Sequence, residues 1–225
     1  MPSDTMHNIK AVIFDLDGVI VDTAQFHYEA WKTLALEWGY TLKKEDNEQL
    51  KGVSRMDSVN KIAQWANVQT KPEEMLELAH QKNEIYIRFC NQLTPKHVLP
   101  GISTLINTLK ANGVLVSLGS ASKNARFVLD KLELLQVFDV IVDGNDVSKS
   151  KPNPEVFLRA AKQMGVSPQQ CLVLEDAPAG VEAALSANMK VIGLGDSNKL
   201  QKAHLVLENA KNLSLEQLNK IKGVA

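Results

Sequence analysis

Asp15 and Asp17 stand two residues apart in the string V-I-F-D-L-D-G, where the apolar run from Lys10 to Phe14 ends. One such carboxylate can attack as a nucleophile while the other carries protons. Glu175 and Asp176 close a second apolar run, so the two strand ends together would concentrate four carboxylates. That cluster repels itself without a cation, and a hard divalent ion is the natural remedy. Magnesium takes few protein oxygens and keeps waters and phosphate in its shell, which suits this set better than a calcium cage. Asp15, Asp17, Glu175 and Asp176 are therefore the expected metal site. A D-x-D string alone can equally be a solvated acidic loop that caps a helix. Ser120 and Lys151, after two further apolar runs, add what a phosphoryl group needs: hydroxyl donors and positive charge around its oxygens while a carboxylate attacks in line.

The elements that must hold these residues are legible as periodicity. Short β-branched runs recur at Lys10–Phe14, Val114–Leu118, Phe138–Val142, Cys171–Leu174 and Lys190–Leu194. Helical stretches such as Asn124–Leu135 and Pro154–Met164 lie between them, an alternation that implies a parallel sheet covered by helices. The expected fold class is α/β, a Rossmann-like parallel sheet with helices on both faces. Residues 23–98 break the rhythm: Ala24–Trp38, Arg55–Ala66 and Pro72–Leu93 carry helical spacing with no strand-like run between them. This segment reads as an all-helical cap inserted after the first strand, with residues 1–22 and 99–225 as the catalytic core. Asp22-Thr23 offers an N-cap for the outgoing helix, and Leu99-Pro100-Gly101 punctuates the return. In such sheets ligands gather beyond the carboxyl ends of the strands, where all four polar groups fall.

The totals narrow the partners. The chain has 225 residues and a formal net charge of -1, so it carries no basic excess to draw in nucleic acid or anionic lipid. Cys90 and Cys171 are far apart and lack metal-ligand spacing, which fits a reducing cytoplasm. The polar start from Met1 to Lys10 has no signal-peptide core and no long apolar run follows, so a soluble, cytoplasmic protein acting as a monomer is expected.

In sequence order, V-I-F-D-L-D-G, S-L-G-S-A-S, S-K-P-N-P-E and L-V-L-E-D-A-P-A-G resemble the four motifs of the haloacid dehalogenase superfamily. The resemblance implies that Asp15 becomes an aspartyl phosphate and that Asp17 serves as general acid and base, its backbone carbonyl joining the metal shell. Asp176 with Glu175 would complete magnesium binding, and Ser120 and Lys151 would hold the transferring oxygens. Each position also has a plain structural reading. Ser120 or Ser122 could cap a helix, Lys151 could be a solvated loop lysine, and Glu175 and Asp176 could favour a helix N-terminus. Those readings explain the sites singly but not their joint order.

Residues of the insert decide between branches of the superfamily. His27 and Trp31 are four apart and share a helix face. The surrounding D-T-A-Q-F-H-Y-E-A-W-K, together with N-E-Q-L-K-G-V-S-R, resembles the β-phosphoglucomutase family. That likeness implies that Lys51 and Arg55 reach down onto the distal part of a bisphosphorylated sugar and that Gly52 lets backbone approach the ligand. S-A-S-K-N extends it to Ala121, Ser122 and Asn124, and K-N to Lys82 on the last cap helix. The implied reaction interconverts β-glucose 1-phosphate and glucose 6-phosphate through β-glucose 1,6-bisphosphate, with magnesium. Gly119 departs from the pattern, where alanine is expected, and is read as the loss of one methyl beside the site. Two other readings stand beside this one: a sugar-phosphate phosphatase, and a non-catalytic phosphosugar-binding regulator. The presence of both Asp15 and Asp17 weighs against the regulator.

Overall fold

A computed structural model describes residues 9–211, 213–214, 217–218 and 221 of the chain; the polar start through residue 8 lies outside them. Six strands form one parallel sheet in the order β3-β2-β1-β4-β5-β6. They are β1 (Ala11–Phe14), β2 (Leu115–Gly119), β3 (Val140–Val142), β4 (Cys171–Glu175), β5 (Lys190–Leu194) and β6 (Leu205–Leu207). The strand order reverses beside β1, so its carboxyl end opens at the sheet's switch point.

β1 is buried on both faces, as its unbroken A-V-I-F demands. Val12 and Phe14 pack with α5 (Ile102–Ala111) and α6 (Ala125–Lys131) on one side. Ala11 and Ile13 pack with α7 (Glu155–Met164) and α8 (Pro178–Ser186) on the other. Each aliphatic side chain buried this way contributes roughly 1.5 to 3 kcal/mol, which anchors the strand that ends at Asp15. The fold class expected from the sequence is the one observed. β6 extends it beyond the five expected strands; at three residues it gives little periodic signal.

Between β1 and α5 come four α-helices, a short 3-10 turn at Pro95–His97 and no strand: α1 (Ala24–Glu37), α2 (Lys44–Glu48), α3 (Arg55–Trp65) and α4 (Pro72–Cys90). Trp31, Leu34, Leu42, Leu50, Val59, Ile62 and Leu78 give them an apolar core of their own. The two connections run side by side, with Val21 bridged to Val98 and Leu99 N donating to Ile20 O at 2.8 Å. α4 buries Leu78, Lys82, Tyr86 and Cys90, a stripe at every fourth residue. α1 lies against it, with the Phe26 and Phe89 rings stacked at 5.6 Å. Thr23 does stand at the N-cap of α1, but its side chain makes no cap bond; its hydroxyl goes to Asp17 Oδ1, while Asp22 Oδ1 takes the Ala24 N–H at 3.1 Å.

Candidate active site

Asp15 continues the β1 ladder, its N–H donating to Leu174 O at 3.0 Å, so its side chain emerges where the sheet ends. Lys151 Nζ stands 2.6 Å from Asp15 Oδ1 and 2.6 Å from Glu175 Oε1, all three groups buried. The other Glu175 oxygen takes the Ala177 N–H at 2.8 Å. Glu175 therefore both opens α8 and fixes the lysine, leaving it less free to bind metal than its neighbour. Gly180 makes room for it, since a Cβ there would lie 1.7 Å from Glu175 Oε1.

Carboxylate oxygens of Asp15, Glu175 and Asp176 lie within 4.8 Å of one another. Burial pushes Asp15 up to about 7, with Lys151 opposing the shift and Glu175 and Asp17 adding to it. Burial, then Glu175 and Asp15, push Asp176 well above the usual carboxylate range. Lys151 is raised as well: burial lowers it, but Asp15 and Glu175 outweigh burial and hold it protonated. Gly18 completes the cradle with φ +79°, and a Cβ there would stand 2.1 Å from Asp176 Oδ2. Hard oxygen donors at these separations, with two carboxyls held up by burial first and then by neighbouring carboxylates, fit a small divalent cation.

The Asp17 carboxylate lies outside that trio. It accepts from Thr23 Oγ1, and His27 Nε2 stands 3.8 Å from Oδ1. Burial works against its charge, but the His27 and Thr23 contacts outweigh burial and hold its pKa below the ordinary value. Lys82 lies behind His27, its Nζ 2.8 Å from Nδ1, with the Trp31 ring centre 4.4 Å and the Tyr86 ring centre 4.7 Å away. Trp31 is itself buried, its ring packed beneath the Lys82 amine.

Facing these groups, the first turn of α3 presents Arg55. Its guanidinium donates to Asn83 Oδ1 at 2.7 Å, and Asn124 Nδ2 donates to the same oxygen at 2.8 Å, joining the insert to the core loop. Ser120 is buried and its Oγ accepts from Ser122 N at 3.0 Å; Ser122 Oγ accepts from Asn124 N at 3.2 Å. Lys51 Nζ lies 3.5 Å from Asp176 Oδ2 and 3.2 Å from Glu48 Oε1, so it faces the core carboxylates. Burial lowers Lys51, but Asp176 and Glu48 outweigh it and raise the pKa. Gly52 has φ +70° and approaches the loop after β4, where an added Cβ would lie 3.5 Å from Ala177 Cβ.

Asp15, Asp17, His27, Trp31, Lys51, Gly52, Arg55, Lys82, Ser120, Ala121, Ser122, Asn124 and Asp176 thus line one cavity of about 730 Å³ between insert and core. Lys151 and Glu175 lie beneath its floor. Sequence reasoning placed none of Thr23, Asn83 and Lys123 in the site. Thr23 was read as a cap, and Lys123 carries no signal beyond its place after Ser122.

Residues 9–188 match the haloacid dehalogenase-like hydrolase family. The chain belongs to this family. Within it, the chain is 41% identical to a β-phosphoglucomutase of Bacillus subtilis over 213 residues, 94% of each protein. A phosphorylated-carbohydrates phosphatase of Thermotoga maritima is 28% identical over 186 residues, 82% of this chain and 84% of that one. Among solved structures, a β-phosphoglucomutase of Clostridium difficile superposes with a TM-score of 0.92 at 42% identity, covering 95% of this chain and 96% of that one. The likeness of this haloacid dehalogenase-like chain to the two phosphoglucomutases covers 94% and 95% of its length.

Proposed function

We propose that the protein is a β-phosphoglucomutase, interconverting β-D-glucose 1-phosphate and D-glucose 6-phosphate through β-glucose 1,6-bisphosphate. One observation carries this reading beyond phosphate-ester hydrolysis in general: a single cavity has a nucleophile with phosphoryl-binding groups on its core side and a buried-edge arginine, Arg55, on its insert side. A substrate with two phosphates needs two such places. A phosphatase needs one.

In the first half-reaction a phosphate already carried on Asp15 passes to the free hydroxyl of the sugar monophosphate. Asp17 takes the proton of that hydroxyl as the new P–O bond forms and the Asp15–phosphate bond breaks. The bisphosphate then presents its other phosphate. Asp15 Oδ attacks that phosphorus, the bond to the sugar oxygen breaks, and Asp17 returns the proton to the leaving oxygen. Lys151 and Ser120 hold the transferring oxygens, and Arg55 holds the phosphate that is not reacting. Thr23 and His27 keep Asp17 ionised at the outset, which suits a group that acts first as base. Asp15, Asp176 and the backbone carbonyl of Asp17 would hold magnesium, with Glu175 close by. The ion supplies charge neutralisation between phosphate and carboxylate.

The proposed enzyme acts as a monomer on small sugar phosphates, with core and insert of the same chain both lining the cavity. Among the described residues no helix is long and apolar enough to cross a membrane. Both cysteines are free and buried, in keeping with a reducing cytoplasm.

Incubation with magnesium, β-glucose 1-phosphate and a trace of bisphosphate, with glucose 6-phosphate and inorganic phosphate followed together, tests the assignment. Mutase action gives glucose 6-phosphate with little free phosphate, stopped by excess chelator and by Asp15→Asn. Phosphate release matching sugar consumption would establish the phosphatase instead.

A further inference from the structure

The turn after β3 is built against the loop that follows β2. Gly144 N donates to Ser122 O at 3.2 Å, and Asn145 Nδ2 donates to Lys123 O at 3.0 Å. A Cβ on Gly144 would lie 2.3 Å from Ala121 O, so backbone meets backbone there. Three successive carbonyls, of residues 121, 122 and 123, are thus turned toward one short segment. That segment is itself organised by Asp143, a carboxylate in the floor of the turn with only 1% of its surface exposed. Asp143 Oδ1 accepts from Asn145 N at 2.8 Å and from Asn145 Nδ2 at 3.0 Å, while Arg126 Nε stands 3.1 Å from Oδ2.

The consequence follows from peptide geometry. In a planar trans peptide the N–H points opposite to the C=O it is bonded through. Carbonyls of 121, 122 and 123 facing the turn therefore send the N–H groups of 122, 123 and 124 the other way. Two of these reach serine oxygens: Ser122 N bonds Ser120 Oγ, and Asn124 N bonds Ser122 Oγ. A hydroxyl oxygen that accepts a backbone N–H still has its own proton to give. Successive N–H groups and hydroxyls presented from one loop make a concave anion-binding surface.

We propose that Asp143 and Asn145 are positioning residues for phosphoryl-group binding. They hold the 120–124 loop with its carbonyls turned outward and its donors turned into the cavity. Neither residue lines that cavity, and Asn145 is exposed on its outer side. The inference rests on the reading of this site as a phosphoryl-transfer centre, but not on which sugar it serves.

Inorganic phosphate, titrated calorimetrically onto the magnesium-loaded enzyme, is the probe. Asn145→Ala removes the donor to Lys123 O from an exposed position and so leaves a folded protein, checked by circular dichroism and thermal melting. Phosphate binding is expected to weaken about threefold to tenfold, the fold-change of one lost hydrogen bond. Asn145→Asp, which sets an acceptor against the Lys123 carbonyl beside Asp143, is expected to weaken it further than Ala. The KM for β-glucose 1-phosphate should rise in the same order, with a smaller change in kcat. Unchanged phosphate affinity in both variants would overturn the proposal, as would a loss in Ala that Asp reverses. Weakened phosphate binding in an enzyme that proves to be a phosphatase would leave the positioning role standing while the mutase reading fell.

Discussion

Lys82 Nζ lies 2.8 Å from His27 Nδ1, deep behind the residue that faces Asp17. Charged or neutral, the amine has an N–H to give, so Nδ1 accepts and the neutral ring carries its proton on Nε2, toward Asp17. Burial first, and then Lys82, lower the His27 pKa and keep the ring neutral, against the pull of Asp17. A lysine thus sets the tautomer of a histidine that in turn supports a carboxylate. The arrangement is costly, because burial and the Arg55 charge press Lys82 down to about 7.

Lys82→Met should therefore make the protein more stable and less active. Removing a buried charge in favour of an apolar side chain of similar length is expected to gain about 1 to 3 kcal/mol, or about 2 to 10 °C in Tm. The gain depends on pH in a fixed direction. Between about 7 and 10.5 the unfolded chain keeps a proton on Lys82 that the folded chain has released, so wild-type stability rises with pH across that window. The penalty is fully present below about 7 and fades toward 10.5, so the variant's advantage in thermal melts should be larger near pH 6.5 than near pH 9. An advantage that grows with pH would refute this account.

Lys151→Met is expected to do the opposite to stability. It leaves Asp15 and Glu175 buried without their shared cation, and breaking such a pair typically costs about 3 to 5 kcal/mol. Magnesium binding the same carboxylates should return part of this loss. The rise in Tm on adding magnesium should be larger in the variant than in the wild type, while turnover falls at least about a hundredfold. Equal magnesium shifts in the two proteins would show that Lys151 does not balance this cluster.

Gly119→Ala is a test of packing. From sequence the glycine reads as one methyl lost beside the site, but the structure shows that the space is already taken. A Cβ there would stand 2.9 Å from Ile13 Cγ2 and 2.9 Å from Phe157 Cδ1. Phe157 fills the volume an alanine would use. Overpacking of this kind costs about 1 to 3 kcal/mol, and Gly119→Ala combined with Phe157→Leu should recover most of the lost Tm. A fully stable single variant would mean that Phe157 gives way without cost.

What could be read in advance divides along physical lines. β1, β2, β4 and β5 were legible because strands buried on both faces leave largely apolar runs, and β1, β2 and β4 lead into Asp15, Ser120 and the Glu175-Asp176 pair. α2, K-E-D-N-E, is polar on nearly every side and leaves no periodic trace. Lys82 reads from composition as a common exposed helix lysine, yet it is 3% exposed. The signal was present in the fourfold spacing of Leu78, Lys82, Tyr86 and Cys90, which sets one charge in an apolar stripe. Asn83 had no such mark. Its importance comes from receiving Arg55 and Asn124 on one oxygen, and no local pattern encodes a meeting of three elements.

On the proposed reading, Arg55 is the residue that separates the mutase from the phosphatase. Its guanidinium is half-buried, tied to Asn83 by a single 2.7 Å bond, and it lines the cavity opposite Asp15. The planar fork still has donors to spare for a phosphate. Binding energy at a phosphate that does not react is spent on orienting the sugar and drawing insert and core together. Arg55→Ala should therefore lower kcat/KM for β-glucose 1-phosphate by about tenfold to a hundredfold, the loss of one charge-assisted pair of about 1.5 to 3 kcal/mol. A small aryl phosphate has no second phosphate to hold, so its hydrolysis should fall by much less. Asn83→Ala supplies the companion measurement, since it frees the guanidinium without removing it and should cost the sugar reaction less than Arg55→Ala does. If Arg55→Ala reduced both substrates by one common factor, the arginine would be supporting the fold or the Asp15 site. The insert would then have no demonstrated grip on a second phosphate, and hydrolysis would become the better reading of the same cavity.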